Sequence, residues 1–474
     1  MLPDSPSPPT CTVGGYPFYV VNATNVAQVQ LAVNLARNLN LRLVVKNTGH
    51  DFGAKSTGMG ALSIWTHHLT DIRFLASYTQ QQDDDDGYAG PAFKVGAGTQ
   101  AAQLYEAAHA HGVTVVGGEA RTVGVMGGYI LGGGHSLLSS RYGMAADQVL
   151  ALEVVTADGH FVTASAASHP NLLWALCGGG GSTYGVVTSV IVKALPKLPV
   201  VTTMTYILAT GGADNVTTDQ FWAAWRAFFD GFIAYTDAGC YEYFRIQNLG
   251  DGQFTSDMGP WFAPGLSTPE LQELTAPLFA QFRALGLNIE PVYRDNTIRQ
   301  ASRLFPRADW QDPAKLNATF DAIRSVVEDG GYLIAFNIAA NPQKETGGYP
   351  DNAVNPAWRE TVLHAIVASL WDASLHAADI KQVSDVLTFD WMRRLRDVSP
   401  GAGAYMSEAD YIEPDFAQAF FGAHYPRLYA LKQAWDPRGV FYAHNAVGSE
   451  DCEMSEMILG NLPSQNSRLC RKSD

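Results

Sequence analysis

Charge is scarce in this sequence and leans one way. Asp, Glu, Lys and Arg make up 16% of its 474 residues, and 46 acids against 31 bases leave a formal charge of −15. So acidic a chain is a poor partner for nucleic acid or for an anionic membrane surface. Long apolar runs are missing too: no stretch of 18 apolar residues is present to span a membrane. Cysteine is confined to Cys11, Cys177, Cys240, Cys452 and Cys470. None stands in a Cys-x-x-Cys or Cys/His spacing that would hold zinc, so no metal is expected, and their odd number leaves one thiol unpaired. The residues up to Pro9 are rich in Pro and Ser and lack the charged-then-apolar order of a signal peptide. Sequons at Asn22, Asn215 and Asn317 suit secretion but are no more frequent than chance. The run from Asp83 to Asp86 reads as a solvated loop.

What remains is a chain that is 47% hydrophobic, 11% aromatic and rich in glycine. At this length a two-part architecture is expected. Residues 18–21 and 43–45 read as strands flanking a helix on which Val26, Val29, Val33 and Ala36 share a face, a parallel pair with a right-handed crossover. The unit is expected to recur as strand 93–95, helix 100–111 with Thr99 as N-cap and Gly112 past its end, and strand 113–116. Asp158-Gly159 between apolar runs predicts a hairpin. From about residue 200 the pattern changes. Helices are predicted over 220–229, from Thr268-Pro269 to Gly286 and from Asp312-Pro313 to Gly330, with strands at 332–339 and 361–370. That is an α+β arrangement, an antiparallel sheet with segregated helices. A helix over 415–435 and a last strand at 440–443 close the reading.

Two glycine-rich segments follow strands of the first region. One runs Lys46-Asn-Thr-Gly-His-Asp-Phe-Gly-Ala-Lys-Ser-Thr-Gly58. The other runs Thr122-Val-Gly-Val-Met-Gly-Gly-Tyr-Ile-Leu-Gly-Gly-Gly-His-Ser136. Such runs let backbone N–H groups close on an anion, and the pair suggests a large phosphate-bearing cofactor. Neither a strict dinucleotide Gly-x-Gly-x-x-Gly nor a P-loop is present.

With Tyr142-Gly-Met-Ala-Ala-Asp-Gln-Val149, Trp174-Ala-Leu-Cys-Gly-Gly-Gly-Gly-Ser-Thr-Tyr-Gly-Val-Val-Thr188 and the tail Asp436-Pro-Arg-Gly-Val-Phe-Tyr-Ala-His-Asn-Ala-Val-Gly-Ser-Glu450, these segments make five ordered motifs. The whole resembles the vanillyl-alcohol-oxidase/berberine-bridge-enzyme type of FAD-linked oxidase, and within it the fungal isoamyl-alcohol-oxidase-like group. The resemblance implies a two-part FAD-binding PCMH-type domain, residues 1–200 and 411–474, around an α+β substrate domain, 201–410. It implies a flavin held by Lys46, Asn47, Thr48, Gly49, His50, Asp51, Phe52 and Ser56 in the first loop. Thr122, Val123, Gly127, Gly128, Gly132, Gly133, Gly134 and His135 would hold it in the second, with Ala146, Asp147, Gly185, Val187 and Asn445 beyond. His50 matches the histidine that bonds the flavin 8α-methyl carbon. Some relatives add a cysteinyl bond where this chain has Ala120, so a single tether is expected. His444-Asn445 stands where Arg-Thr is usual.

The implied reaction moves a hydride from an alcohol or activated C–H to flavin N5, with O2 reoxidising the cofactor to give H2O2. A flavoprotein cyclase of Diels–Alder type is the alternative, and a binding protein with a vestigial site a third. Tyr129, Tyr405 and Glu408 are the candidate catalytic groups, with Tyr405, Glu408 and Asp410 placed on a strand. Tyr405 reads equally as a core aromatic, and Glu408 as a solvated or ion-paired carboxylate. Small-molecule substrate and O2 are the expected partners of a monomer. Relatives carry a leader and further residues before the Cys-Thr-x-Gly-Gly motif that here begins at Cys11. The chain is thus read either as secreted with a leader preceding this sequence or as an intracellular biosynthetic enzyme.

Overall fold

Helix Val26–Leu39 starts where the Asn25 side chain accepts the Gln28 N–H, and it ends at Asn40 in the left-handed region. Its Val29, Ala32, Val33 and Ala36 are buried against a three-stranded parallel sheet. The sheet order is Tyr19–Asn22, Leu62–Trp65, Leu43–Lys46. The two strands expected to pair directly are therefore separated by a third. Leu62, Ser63 and Ile64 are all buried, as a central parallel strand requires, whereas Tyr19–Asn22 is largely exposed at the edge. The computed structural model describes residues 13–80, 87–198, 201–212, 215–289, 301–342, 348–369, 377–454, 457–458, 462–463 and 469–471. Cys11, the Asp83–Asp86 run and the Cys470 side chain lie outside the described positions.

A five-stranded antiparallel sheet follows, ordered Ile72–Thr79, Ala89–Gly96, Val186–Lys193, Val149–Val155, Phe161–Ser165. The Asp158-Gly159 hairpin is present. The expected second parallel unit is not. Ala89–Gly96 pairs antiparallel on both sides, and Val113–Thr114 is a two-residue strand paired with Leu195–Pro196. Helix Ala101–Ala110 is capped by Gln100 with Gln103, while Thr99 is fully buried beneath it. Among the described residues, no helix is long and apolar enough to cross a membrane.

The third large sheet has six antiparallel strands, ordered Val201–Ala209, Gln253–Pro264, Tyr241–Gly250, Tyr332–Asn337, Thr361–Ala368, Ala301–Pro306. Helices Thr218–Asp230, Thr268–Ala284 and Pro313–Glu328 form where their caps and Pro-N1 signals place them, and bury Phe221, Trp225, Phe282 and Phe320 against the sheet. Strand alternation sorts the other side. Phe244 joins the helix-covered core, while Tyr241, Tyr243 and Phe336 join the core containing the glycine loops.

Three readings near the C-terminus are corrected. Residues 405–410 are turns rather than a strand: Glu408 N–H bonds Tyr405 O at 3.0 Å, and Ser302 takes up the Tyr405 backbone. The helix expected over 415–435 breaks at Gly422, φ +53°, into Phe416–Phe421 and Tyr425–Trp435. No strand forms at 440–443, where Phe441 makes one parallel bridge to Leu43. Instead the buried Lys432 ammonium gathers Asp436 Oδ2 at 2.7 Å, Phe441 O at 2.7 Å and Thr183 O at 2.8 Å, tying this return of the chain to the 178–187 loop.

Candidate active site

The glycine loops, the 179–187 segment and the uncovered face of the six-stranded sheet enclose a cavity of about 760 Å3, within the usual range for small-molecule sites. Of the expected site residues, Asn47, Thr48, Gly49, His50, Asp51, Phe52, Ser56, Val123, Gly127, Gly128, Tyr129, His135, Gly185, Val187, Tyr405, Glu408 and Asn445 line it. Lys46, Thr122, Gly132, Gly133, Gly134, Ala146 and Asp147 are not among the lining residues, Thr122 being exposed. Lys46 turns its ammonium over the Trp65 ring, 5.3 Å from the centroid, and onto the Asn47 and Thr48 carbonyls. Gly133 and Gly134 accept from the Ala146 and Ala145 N–H groups. Asp147 is buried in a two-pronged ion pair with Arg359, both contacts at 2.7 Å, and also takes Asn352 Nδ2 and Met144 N–H. Lys55 and Arg121, not singled out from sequence, are the lining residues with cationic side chains.

The two loops fit together through close approach. A Cβ at Gly124 or Gly127 would fall 2.4 or 2.3 Å from Asn47 Nδ2, which donates to Ala97 O. Gly124 N–H bonds Thr48 Oγ1 at 3.2 Å, and Trp65 Nε1 holds Asn47 O at 2.9 Å. Gly128, by contrast, has nothing within 4 Å of where a Cβ would stand. Asn47 Oδ1 is buried without a partner among the described residues. An open glycine cradle beside an unsatisfied amide suits a large polar ligand with an elongated phosphate part.

At one place the loops present chemistry. His50 Nε2 lies 2.8 Å from Thr122 Oγ1, and partial burial shifts the imidazole down, toward its neutral, nucleophilic form. Ala120 lines the same cavity and offers no thiol.

Elsewhere in the lining, Glu408 Oε2 accepts from His364 Nε2 at 2.9 Å and from His135 Nε2 of the second glycine segment at 3.2 Å. Burial pushes this carboxyl up, but the two imidazoles outweigh it and hold Glu408 well below the usual carboxylate range. Tyr129 spends its hydroxyl on His135 O at 2.7 Å, and burial pushes that hydroxyl up. Burial and the Glu408 charge likewise raise Tyr405, whose neighbours include the Ser407 hydroxyl and Gly134 N–H. Glu408 is thus held as an ionised carboxylate in the cavity lining. Asn445, φ +56°, and His444 both bond Tyr411 O at 2.9 Å, and burial takes His444 down to about 4. His364 was missed from sequence. It is a lone histidine in an apolar run, and only strand register brings it opposite Phe336 and under Glu408.

Residues 17–165 match the FAD binding domain family, and residues 404–448 match the family described as Berberine and berberine like. The chain is 36% identical to the FAD-linked oxidoreductase patO of Aspergillus clavatus, over 98% of this chain and 80% of that protein. It is 35% identical to the bifunctional decalin synthase calF of Penicillium decumbens, over 94% and 79%. The crystal structure of the VAO-type flavoprotein MtVAO615 from Myceliophthora thermophila C1 superimposes with a TM-score of 0.84 at 31% identity, covering 98% of this chain and 83% of that one. With its PCMH-type fold, the chain belongs to the vanillyl-alcohol-oxidase/berberine-bridge-enzyme family of FAD-linked oxidoreductases.

Proposed function

We propose that this protein is an FAD-dependent oxidase acting on an alcohol or activated C–H of a small organic molecule, with O2 as acceptor and H2O2 as product. The observation that carries this reading is the ionised Glu408 carboxylate facing the same cavity as the glycine loops. Asn47, Thr48, Gly127 and Gly128 would hold the pyrophosphate and ring, with Gly185 and Val187 at the adenine end. His50 would form the single covalent bond, its Nε2 engaged by Thr122 and its other ring nitrogen left to react. When bound, the FAD supplies a two-electron acceptor that O2 can reoxidise. Glu408 takes the substrate hydroxyl proton as the C–H bond breaks, giving carbonyl product and, with O2, H2O2. Tyr243, Phe336 and Phe421 in the lining favour an apolar, unsaturated substrate. In this reading 1–200 and 411–474 form the flavin part and 201–410 the substrate part of a monomer.

A cyclase is the second reading, favoured by the likeness to the decalin synthase. Mixing holoenzyme with a panel of aromatic and allylic alcohols without O2 separates the two. Bleaching of the flavin absorbance, reversed by air with release of H2O2, supports the oxidase. A substrate that is converted with the flavin still oxidised overturns it in favour of the cyclase.

A further inference from the structure

The geometry points to His364 as a positioning residue for Glu408: its buried imidazole donates Nε2–H to Glu408 Oε2 and fixes that carboxylate as a proton acceptor in the cavity wall. The inference rests on the reading of Glu408 as the base.

Three observations carry it. First, the ring is held. His364 is fully buried in strand Thr361–Ala368, stacked on Phe336 at 5.4 Å between centroids and packed by Trp358 at 5.2 Å and Tyr405 at 6.0 Å. Second, the tautomer follows from the contacts. His364 Nδ1 is buried with no hydrogen-bond partner among the described residues, whereas Nε2 faces a carboxylate oxygen at 2.9 Å. A neutral imidazole carries one N–H, and only Nε2 has an acceptor for it. Third, His135 meets the same oxygen from the glycine loop at 3.2 Å, and its Nδ1 is also without a partner. Both bonds end on Oε2, so neither histidine uses Oε1. The Glu408 side chain keeps 23% exposure and lines the cavity.

The electrostatics agree. Burial drives His364 down, toward the neutral donor, against the pull of Glu408. The other titratable group acting on this carboxylate is His135 from the glycine loop, and the Glu408 charge in turn bears on Tyr129 from the same loop, Tyr241 from the sheet and Tyr405 from its own turn. Burial pushes all three tyrosines up, so they stay uncharged. Lys55 reaches the adjoining Met406 O at 3.4 Å. With the His364 donor lost, Glu408 keeps only the longer bond from His135, and its carboxyl rises.

Infrared difference spectroscopy of the holoenzyme, titrated downward from neutral pH, reads this without a substrate. The protonated-carboxyl band of Glu408 is assigned by its loss in Glu408→Gln. In His364→Phe, which keeps an aromatic ring in the packing, the band is expected at a pH about 1–2 units higher than in wild type, the worth of one hydrogen bond to a charged group. His364→Gln, which can return an N–H donor, is expected to restore the wild-type position. An unshifted band in His364→Phe, or an equal shift in both variants, overturns the proposal. Stoichiometric metal that a chelator removes would overturn it too, because a nitrogen of His135, a nitrogen of His364 and an oxygen of Glu408 lie within 4.8 Å of one another. The base reading fails separately, if Glu408→Gln leaves flavin reduction by substrate as fast as wild type.

Discussion

Thr122 Oγ1 stands 2.8 Å from His50 Nε2, so the second glycine loop holds the imidazole that the first presents. Replacing Thr122 by Val keeps the bulk and removes the hydroxyl. Covalent incorporation of flavin is expected to slow about 2- to 10-fold, the worth of one neutral hydrogen bond. The ratio of bound to released flavin after acid precipitation, followed during reconstitution, measures it. An unchanged rate would detach Thr122 from the tethering step.

Glu408→Gln preserves shape and removes the proton acceptor. Flavin reduction by substrate, followed by stopped-flow absorbance, is expected to fall about 10²- to 10⁴-fold. Flavin content should stay at the wild-type level, because the Glu408 carboxylate bonds His135 and His364 whereas His50 bonds Thr122.

The Asp147–Arg359 pair joins residues 212 positions apart and is almost wholly buried. Asp147→Ala leaves the guanidinium without its partner in a dry site, which costs about 3–5 kcal/mol. A lower denaturant midpoint, partly recovered in Arg359→Met/Asp147→Leu, would identify the loss as one of uncompensated charge.

Glu242 is fully buried, and neither carboxylate oxygen has a partner among the described residues. Burial raises its carboxyl well above the ordinary range, so the folded protein keeps it protonated where the unfolded chain does not. Its contribution to stability is therefore greatest below the unfolded value and declines as pH rises toward the folded one. Glu242→Met removes that dependence. The melting temperature of the variant relative to wild type is expected to improve steadily from pH about 5 to pH about 8. A difference independent of pH would show that Glu242 is ionised in the fold.

What the sequence made legible was local. The glycine loops, the hairpin at Asp158-Gly159 and the helices begun by Thr268-Pro269 and Asp312-Pro313 are read from neighbours in the chain, and they stand as expected. Long-range pairing escaped. Leu62–Trp65 inserts between two strands that looked adjacent, and nothing within four residues announces a central strand. Asp147 sits in a motif yet turns to Arg359, and Lys46 turns to Trp65, because partners far along the chain decide where a charge points. His364 carries no motif. Its place under Glu408 exists only once two strands and a turn have met.

The account holds that the two loops close on one FAD bonded once, through His50. Acid denaturation followed by mass measurement of the chain tests this most directly. One FAD mass per polypeptide in wild type, with yellow colour in the pellet, and a colourless unmodified chain in His50→Ala are the predicted results. A wild-type chain of unmodified mass, its flavin free in the supernatant, would contradict it.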